Sequence, residues 1–150
     1  MVQFLSVDGA FRSSTNIGAW AFIVDSDIRF SSSGVEVETT NQKMELKAII
    51  EALKYAKENF SNEEIGILSD SAYCVNGMNQ RWFDKWILNK WTNSKGKPVK
   101  NKELWKELIE LDEELDVKYV KVLGHSGDEL NELADLEVNI AMDNWEEENY

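Results

Sequence analysis

The stretch TTNQKMELKAIIEALKYAKENF, residues 39–60, predicts one long helix. Cap-type residues (Thr39, Thr40 and Asn41) precede apolar side chains that return with the helical period of about 3.6 residues. Glu45 lies inside this apolar stripe, where a lone carboxylate is costly unless it is paired or bound to a metal. Two explanations stay open. Glu45 lies at the rim of the core, reaches water and favours the helix dipole, or it belongs to a functional site.

The segments on either side of this helix predict the order β-β-β-α-β-α-α-α-β-α. The predicted strands are 2–10, 18–25, 28–38, 64–70 and 117–124, and the predicted helices are 39–60, 71–79, 81–91, 97–115 (beginning near Asn101) and 130–145. Ser26 and Asp27 form a tight turn, and Gly77 is interpreted as a helix break. Short links make the first three strands an antiparallel meander, and helical links make the later crossovers parallel. The prediction is a mixed α/β sheet with helices on its faces.

The composition indicates one domain, residues 1–150, with a substantial core. A hydrophobic content of 43% and six tryptophans argue against disorder. No apolar run approaches the roughly 20 residues of a membrane span, and the first residues do not have the pattern of a signal peptide. A single cysteine cannot form an internal disulfide, which fits a reducing, cytoplasmic setting. No unexplained apolar segment demands a partner, so a monomer is expected.

The charge of the chain is unevenly distributed. The net charge of −12, taken alone, argues against a nucleic-acid partner. However, residues 81–106 hold eight Lys and Arg against two acids, a local charge of +6, and three tryptophans, Trp82, Trp86 and Trp91. Two interpretations of this segment stay open. Either the tryptophans pack a small helical lobe and the lysines only keep its surface soluble, or the segment is a basic handle that contacts nucleic-acid phosphates.

Two aspartates lie at the ends of predicted strands, and both carboxylates project at the same edge of the sheet if those strands are adjacent and parallel. In open α/β sheets, sites form at the carboxyl ends of strands, which is where Asp8 and Asp70 are expected. Glu45, in the first turn of the long helix, can join them. Asp8 before a glycine is also an ordinary turn signal, and Asp70 before a helix could be an N-cap. Convergence of three acids requires a cation, and oxygen-only ligands favour Mg²⁺ or Mn²⁺. Two such ions about 4 Å apart are a known means of phosphodiester cleavage.

Two further residues are ambiguous on the pattern alone. Asp135 lies near the border between the apolar and acidic sides of the last predicted helix and is typical of a solvated acid. His125, the only histidine, lies in the glycine-flanked loop GHSGDE, 124–129. It is either an ordinary loop histidine or a group that transfers protons beside an active-site edge.

Five segments, in order, resemble type 1 ribonuclease H along nearly the whole chain: VDGA (7–10), TNQKMELKAIIEAL (40–53), LSDSAYCVNG (68–77), KPVKNKELW (97–105) and VLGHSGDELNELAD (122–135). The resemblance implies a ribonuclease H-like fold. Its five-stranded mixed sheet has strands 1–3 antiparallel, strands 1, 4 and 5 parallel, and helices on both faces. It implies hydrolysis of the RNA strand of RNA–DNA hybrids with two Mg²⁺ ions, leaving 5′-phosphate and 3′-hydroxyl ends, with Mn²⁺ as a substitute.

The resemblance also implies roles for individual residues. Asp8, Glu45, Asp70 and Asp135 would hold the metal ions, and His125 would aid proton transfer or product release. The candidate nucleic-acid contacts are Asn16, Thr40, Asn41, Gln42, Trp82, Lys85, Trp86, Lys90, Trp91 and Asn131, with a helical handle at about 81–102. The loop AFRSSTNIG replaces the Gly/Pro-rich turn that family members often have, and Asn16 would supply its polar contact.

Two rival functions remain. A DNA-cutting or strand-transferring relative would share the acidic cluster, although the Thr-Asn-Gln stretch and the tryptophan handle point away from it. A non-catalytic binding protein would retain hybrids without cutting them, although all four acids and His125 are present. Cleavage assays on matched hybrid, double-stranded DNA and double-stranded RNA separate these alternatives.

Overall fold

The computed structural model of the protein describes residues 2–26, 29–123 and 129–150. Its elements, in chain order, are β1 Val2–Arg12, β2 Ile17–Asp25, β3 Arg29–Val37, α1 Asn41–Asn59, β4 Glu64–Ser69, α2 Ala72–Asn79, α3 Trp82–Leu88, α4 Lys102–Glu114, β5 Asp116–Lys121 and α5 Glu129–Asn149. The predicted order of strands and helices is therefore confirmed. The turn predicted at Ser26 and Asp27 lies partly outside the described residues.

The five strands form one mixed sheet in the order β3-β2-β1-β4-β5. Strands β1, β2 and β3 pair antiparallel, whereas β4 pairs parallel with both β1 and β5. On one face, Leu5 and Val7 of β1 pack with α1 and α4 in the main core. On the other face, Ala19 and Ala21 of β2 pack against Val138 of α5. Helices thus cover both faces, as expected.

Strand β1 extends beyond the predicted end of the first strand. Its parallel pairing with β4 ends at Ser6, opposite Leu68, but its antiparallel pairing with β2 continues to Arg12, opposite Ile17. The hairpin satisfies the backbone of β1 after β4 has ended, so the Asp-Gly pair is strand and not turn. Asp8 therefore lies inside β1, two residues beyond Ser6, the last residue of β1 that pairs with β4.

The prediction that Gly77 breaks a helix is wrong. Helix α2 continues through Gly77 to Asn79, and the chain changes direction at Arg81, which has a left-handed φ of 53°. A Cβ atom on Gly77 would lie 2.3 Å from Cη2 of the fully buried Trp105. The glycine thus provides space for the indole ring and does not end the helix.

The last helix is longer than predicted, because α5 runs to Asn149 and not to residue 145. The added turn contains Glu146, Glu147 and Glu148, and glutamate is a good helix former.

Among the helices of the described ranges, none is long and apolar enough to cross a membrane.

Candidate metal centre

Three acidic side chains from separate segments of the chain meet beside the carboxyl end of β4. Asp8 lies on β1 just past the end of β4, and Asp70 follows Ser69, the last residue of β4. Glu45 projects from the second turn of α1, so its predicted place in the first turn is wrong. Each of the three offers a carboxylate oxygen, and these oxygens lie within 4.8 Å of one another. Asp8, Glu45 and Asp70 are therefore brought together as predicted from the carboxyl ends of the strands.

Gly9 permits this close approach of strand and helix. A Cβ atom at Gly9 would lie 2.3 Å from the carbonyl carbon of Met44 and 2.4 Å from the backbone nitrogen of Glu45. Without that atom, the Gly9 N–H donates to Oε1 of Glu45 at 2.6 Å and also to Oδ1 of Asp8 at 3.0 Å. One backbone N–H thus holds two carboxylates at the same point.

The structure excludes the two purely structural explanations, Glu45 at the rim of the core and Asp70 as a helix N-cap. Glu45 is 4% exposed, so it is not at the rim of the core reaching water. Its second oxygen, Oε2, is buried and has no hydrogen-bond partner among the described residues. Asp70 does not cap α2, because the hydroxyl of Ser71 accepts from the Cys74 N–H and fills that position.

The electrostatics of the cluster indicate a deficit of positive charge. Burial, followed by the nearby charges of Asp70 and Asp135, raises the pKa of Asp8 to about 7. Burial and the charges of Asp8 and Asp70 raise the pKa of Glu45 well above its ordinary value. Closely placed oxygens with one orphaned acceptor suit a hard divalent cation, which would supply the missing charge. Asp8, Glu45 and Asp70 are the residues that could hold it.

Asp135 lies on α5 at the edge of the same site. It is half-buried and lines an open cleft of about 510 Å³ together with Asp8, Glu45 and Asp70. It is not one of the three acids whose oxygens all lie within 4.8 Å of one another. Its charge nevertheless contributes to the raised pKa of Asp8. Asp135 thus faces the cluster from the opposite side of the sheet to α1.

The Thr-Asn-Gln stretch lies at the start of α1 and borders this cleft. Thr40 is the N-cap of the helix, and its hydroxyl accepts from the Lys43 N–H at 3.1 Å. Asn41 and Gln42 line the cleft. Oε1 of Gln42 is buried without a hydrogen-bond partner among the described residues.

The remaining candidate contacts differ in accessibility. Asn16 is exposed, has a left-handed φ of 56°, and its carbonyl accepts from the Glu38 N–H at 2.9 Å. Asn131 lies on α5, one turn before Asp135, and is 2% exposed. His125 lies outside the described residues, which omit 124–128.

The tryptophans of the handle form an aromatic cluster with the main core. Trp86 lies 5.3 Å from Trp105, 6.3 Å from Trp82 and 5.8 Å from Trp91, measured between ring centroids. Trp105 is held in turn by its indole N–H, which donates to the Tyr73 hydroxyl at 2.8 Å. The packing interpretation of the tryptophans is thus correct, and it does not exclude contacts made by their partly exposed edges.

The lysines of the same segment are arranged differently. Lys85 and Lys90 are both exposed, on α3 and in the turn that follows it. They are placed on the surface of the lobe that the tryptophans build, where a charged side chain is accessible to a partner.

Two cleft-lining residues were not singled out from the sequence. Ser71 and Tyr73 lie one and three residues after Asp70, and both side chains border the same cleft. The signal was available, because the first turn of a helix that follows a site strand lies beside that site.

This strand order, with carboxylates gathered where the central parallel strands end, defines the ribonuclease H-like class of α/β proteins. The crystal structure of LC9-RNase H1, a type 1 RNase H with the type 2 active-site motif, matches with a TM-score of 0.81 and 26% identity, over 93% of this chain and 71% of that one. The chain belongs to the ribonuclease H family, whose model matches residues 3–143.

Several bacterial relatives are similar over most of their length. Ribonuclease H of Caldicellulosiruptor saccharolyticus is 44% identical over 129 residues, which are 85% of this chain and 87% of that protein. Ribonuclease H of Clostridium botulinum is 41% identical over 146 residues, 92% of this chain and 93% of that protein. Ribonuclease H of Caldanaerobacter subterraneus is 41% identical over 129 residues, which are 85% of this chain and 82% of that protein. The chain is accordingly an enzyme, an endonuclease that hydrolyses phosphodiester bonds.

Proposed function

We propose that this enzyme cuts the RNA strand of RNA–DNA hybrids at the cleft between α1, β4 and α5. The observation that carries the proposal is the meeting of Asp8, Glu45 and Asp70, whose oxygens lie within 4.8 Å of one another in an open cleft. Membership of the ribonuclease H family supports the choice of substrate. The products would carry 5′-phosphate and 3′-hydroxyl ends, as the resemblance implies.

Asp8, Glu45, Asp70 and Asp135 would hold two divalent cations, with Mg²⁺ as the proposed metal. The donor set supports this choice, because it consists of carboxylate oxygens and includes the orphaned Oε2 of Glu45. When bound, the ions would supply an activated water and charge for the leaving 3′ oxygen. The Gly9 N–H fixes the orientation of the Glu45 and Asp8 carboxylates before a metal arrives.

The surroundings of the cleft supply candidate contacts to the nucleic acid. Asn41 and Gln42 line the cleft beside the acidic cluster, and their side-chain amides could contact a 2′-hydroxyl or a base edge. Thr40 positions this pair by capping α1. Asn16 and Asn131 are further candidates from the family pattern.

The handle would bind the hybrid at a distance from the reaction. Lys85 and Lys90 would contact phosphates, and the tryptophan cluster of Trp82, Trp86 and Trp91 would hold those lysines on a rigid lobe. A locally basic segment would then retain the substrate of an otherwise acidic protein. We propose His125 as the residue that aids proton transfer or product release. We also propose that the enzyme acts as a cytoplasmic monomer.

The test is cleavage of a hybrid labelled on its RNA strand, with Mg²⁺ and with excess chelator. Matched double-stranded DNA and double-stranded RNA are assayed in parallel, and the product ends are mapped. We expect cleavage of the hybrid alone, abolished by chelator. Asp70→Asn should abolish the activity, whereas Asp25→Asn, which makes the same charge change at the far end of β2, should not. Undiminished activity of Asp70→Asn, or equal cleavage of double-stranded DNA, would refute the proposal.

A further inference from the structure

Arg12, the last residue of β1, is bound to three successive turns of α5. Its Nη1 lies 2.8 Å from Oδ1 of Asp143 and 2.6 Å from Oε1 of Glu146. Its Nη2 donates to Oδ1 of Asn139 at 3.1 Å. Thr15 adds a bond from the hairpin, because its hydroxyl donates to Oε2 of Glu146 at 2.7 Å. Networked guanidinium–carboxylate contacts of this kind hold geometry better than isolated surface pairs.

Asn139 connects this network to the candidate metal ligand Asp135. Its side-chain oxygen accepts from Arg12, and its side-chain Nδ2 donates to the backbone carbonyl of Asp135 at 2.9 Å. The guanidinium fixes which way the amide faces, because only the oxygen of the amide can accept from it. A continuous series of hydrogen bonds therefore runs from Arg12 to the backbone that carries the Asp135 side chain.

The spacing along the strand matches the spacing along the helix. Asp8 and Arg12 are four residues apart on the same face of β1, a separation of about 13 Å. Asp135 and Asp143 are eight residues apart on α5, a separation of about 12 Å. The helix therefore lies along the strand. At one end Asp135 and Asp8 line the same cleft, and at the other end Asp143 forms an ion pair with Arg12.

This arrangement opposes the repulsion at the acidic end of the helix. Asp135 and Asp8 line the same cleft, so their carboxylates repel each other when both are charged. This repulsion acts against the packing of Val138 and Met142 of α5 on the sheet. Arg12 adds direct bonds from β1 to α5. Because Asp8 lies on the same strand, these bonds fix the position of Asp135 relative to Asp8.

We propose that Arg12 is a positioning residue, which holds Asn139, Asp143 and Glu146 and thereby sets the distance of the Asp135 carboxylate from Asp8. The inference rests on the proposed function, because it treats Asp135 as a metal ligand. It adds a role for a residue that lies outside the acidic cluster.

The test measures metal affinity without substrate. Mn²⁺ is titrated into the full chain, and the free ion is followed by electron paramagnetic resonance. Arg12→Ala should weaken Mn²⁺ binding by about tenfold, the usual effect of removing a group that orients a ligand. Arg12→Lys should recover part of the affinity. Lys54→Ala, which removes one positive charge and an ion pair to Glu107 between α1 and α4, should bind Mn²⁺ as the wild type does.

A double variant separates positioning from general stability. In an Asp135→Asn background, Arg12→Ala should weaken Mn²⁺ binding no further, because its effect acts through the missing carboxylate. In hybrid cleavage, Arg12→Ala should raise the Mg²⁺ concentration for half-maximal activity and leave the KM for the hybrid unchanged. If Arg12→Ala does not fold, as judged by circular dichroism, Asn139→Ala replaces it, because that variant keeps both ion pairs of Arg12.

The outcomes distinguish this inference from the proposed function. Unchanged Mn²⁺ affinity in Arg12→Ala, or an equal loss with and without the Asp135 carboxylate, overturns the positioning role even if the wild type cuts hybrids. Coupled loss of Mn²⁺ affinity in a protein that does not cut hybrids supports the positioning role and refutes the proposed function. Absence of Mn²⁺ binding by the wild type overturns both.

Discussion

The backbone N–H of Gly9 donates to Oε1 of Glu45 at 2.6 Å, joining the central strand to the first helix at the acidic cluster. The same N–H reaches Oδ1 of Asp8 at 3.0 Å. Two carboxylates that would otherwise repel are thus held by a group that carries no net charge. The relationship depends on the absence of a side chain at residue 9, since a Cβ would lie 2.3 Å from the carbonyl carbon of Met44.

Gly9→Ala should therefore damage both stability and activity. The added methyl group meets backbone atoms of α1 that cannot rotate away, so the helix must shift and carry Glu45 with it. Overpacking of this kind costs about 2 kcal/mol, measurable by chemical denaturation, and hybrid cleavage should fall strongly. Gly66→Ala is the matched control. Its Cβ would lie 2.6 Å from the ring of Phe4, which is 48% exposed and can move. Equal behaviour of the two variants would contradict the assignment.

The acidic cluster should make the metal-free protein less stable as the pH rises. Burial and the Asp70 charge raise the pKa of Asp8 from 3.8 to about 7, and burial raises that of Glu45 as well. The folded state then binds these protons more tightly than the unfolded chain. The contribution of Asp8 to the free energy of unfolding is fully present below about pH 4 and is lost as the pH passes through about 7. Glu45 contributes in the same direction, because its pKa is also raised in the folded state.

The measurement is thermal unfolding in chelator from about pH 5 to about pH 8. The Tm of the wild type should fall over this range, and the fall should be smaller in the double variant Asp8→Asn with Glu45→Gln. Asp25→Asn serves as the control and should keep the wild-type slope. A double variant whose Tm follows the wild type at every pH would show that these two carboxyls do not titrate in this range.

Gly77→Ala should destabilise the protein, although alanine is ordinarily the better helix former. In a helix interior the substitution normally stabilises by up to about 1 kcal/mol. Here the new methyl group would lie 2.3 Å from Cη2 of Trp105, which is fully buried. We expect a net loss of about 1–2 kcal/mol in chemical denaturation. A stabilised Gly77→Ala variant would mean that Trp105 can move without cost.

Two substitutions in the handle should separate packing from binding. Trp86→Ala removes a ring that lies 5.3 Å from Trp105, and it should cost about 3 kcal/mol of stability. Lys85→Ala removes an exposed cation and should leave stability unchanged. It should weaken hybrid binding and reduce the salt slope of that binding by about one. Binding is measured in Ca²⁺ by fluorescence anisotropy at several salt concentrations. If Lys85→Ala keeps the wild-type salt slope, Lys85 does not contact the phosphates of the hybrid.

The order of elements was predictable because hydrophobic periodicity changes clearly between strands and helices. The extension of β1 beyond residue 10 was not predictable, because the continued pairing of Phe11 and Arg12 with β2 is a tertiary effect. Gly77 was misinterpreted for a similar reason. A glycine that leaves room for Trp105 cannot be distinguished locally from one that ends a helix.

The candidate site was predictable in part from the residues themselves. Asp8 and Asp70 were placed together by the rule for carboxyl ends of parallel strands, and Glu45 by its position in an apolar stripe. Asp135 entered only through the family resemblance, because its position on the border of α5 is typical of a solvated acid. Arg12 gave no signal, since its partners lie 127 to 134 residues away in the chain.

The most direct test of the account is to locate metal ions in crystals of this protein. Crystals are soaked in Mn²⁺, and the ions are identified by anomalous scattering. We expect two manganese peaks among the carboxylate oxygens of Asp8, Glu45, Asp70 and Asp135, and the loss of these peaks in Asp70→Asn. Manganese bound elsewhere, with these four side chains free of metal, would contradict it.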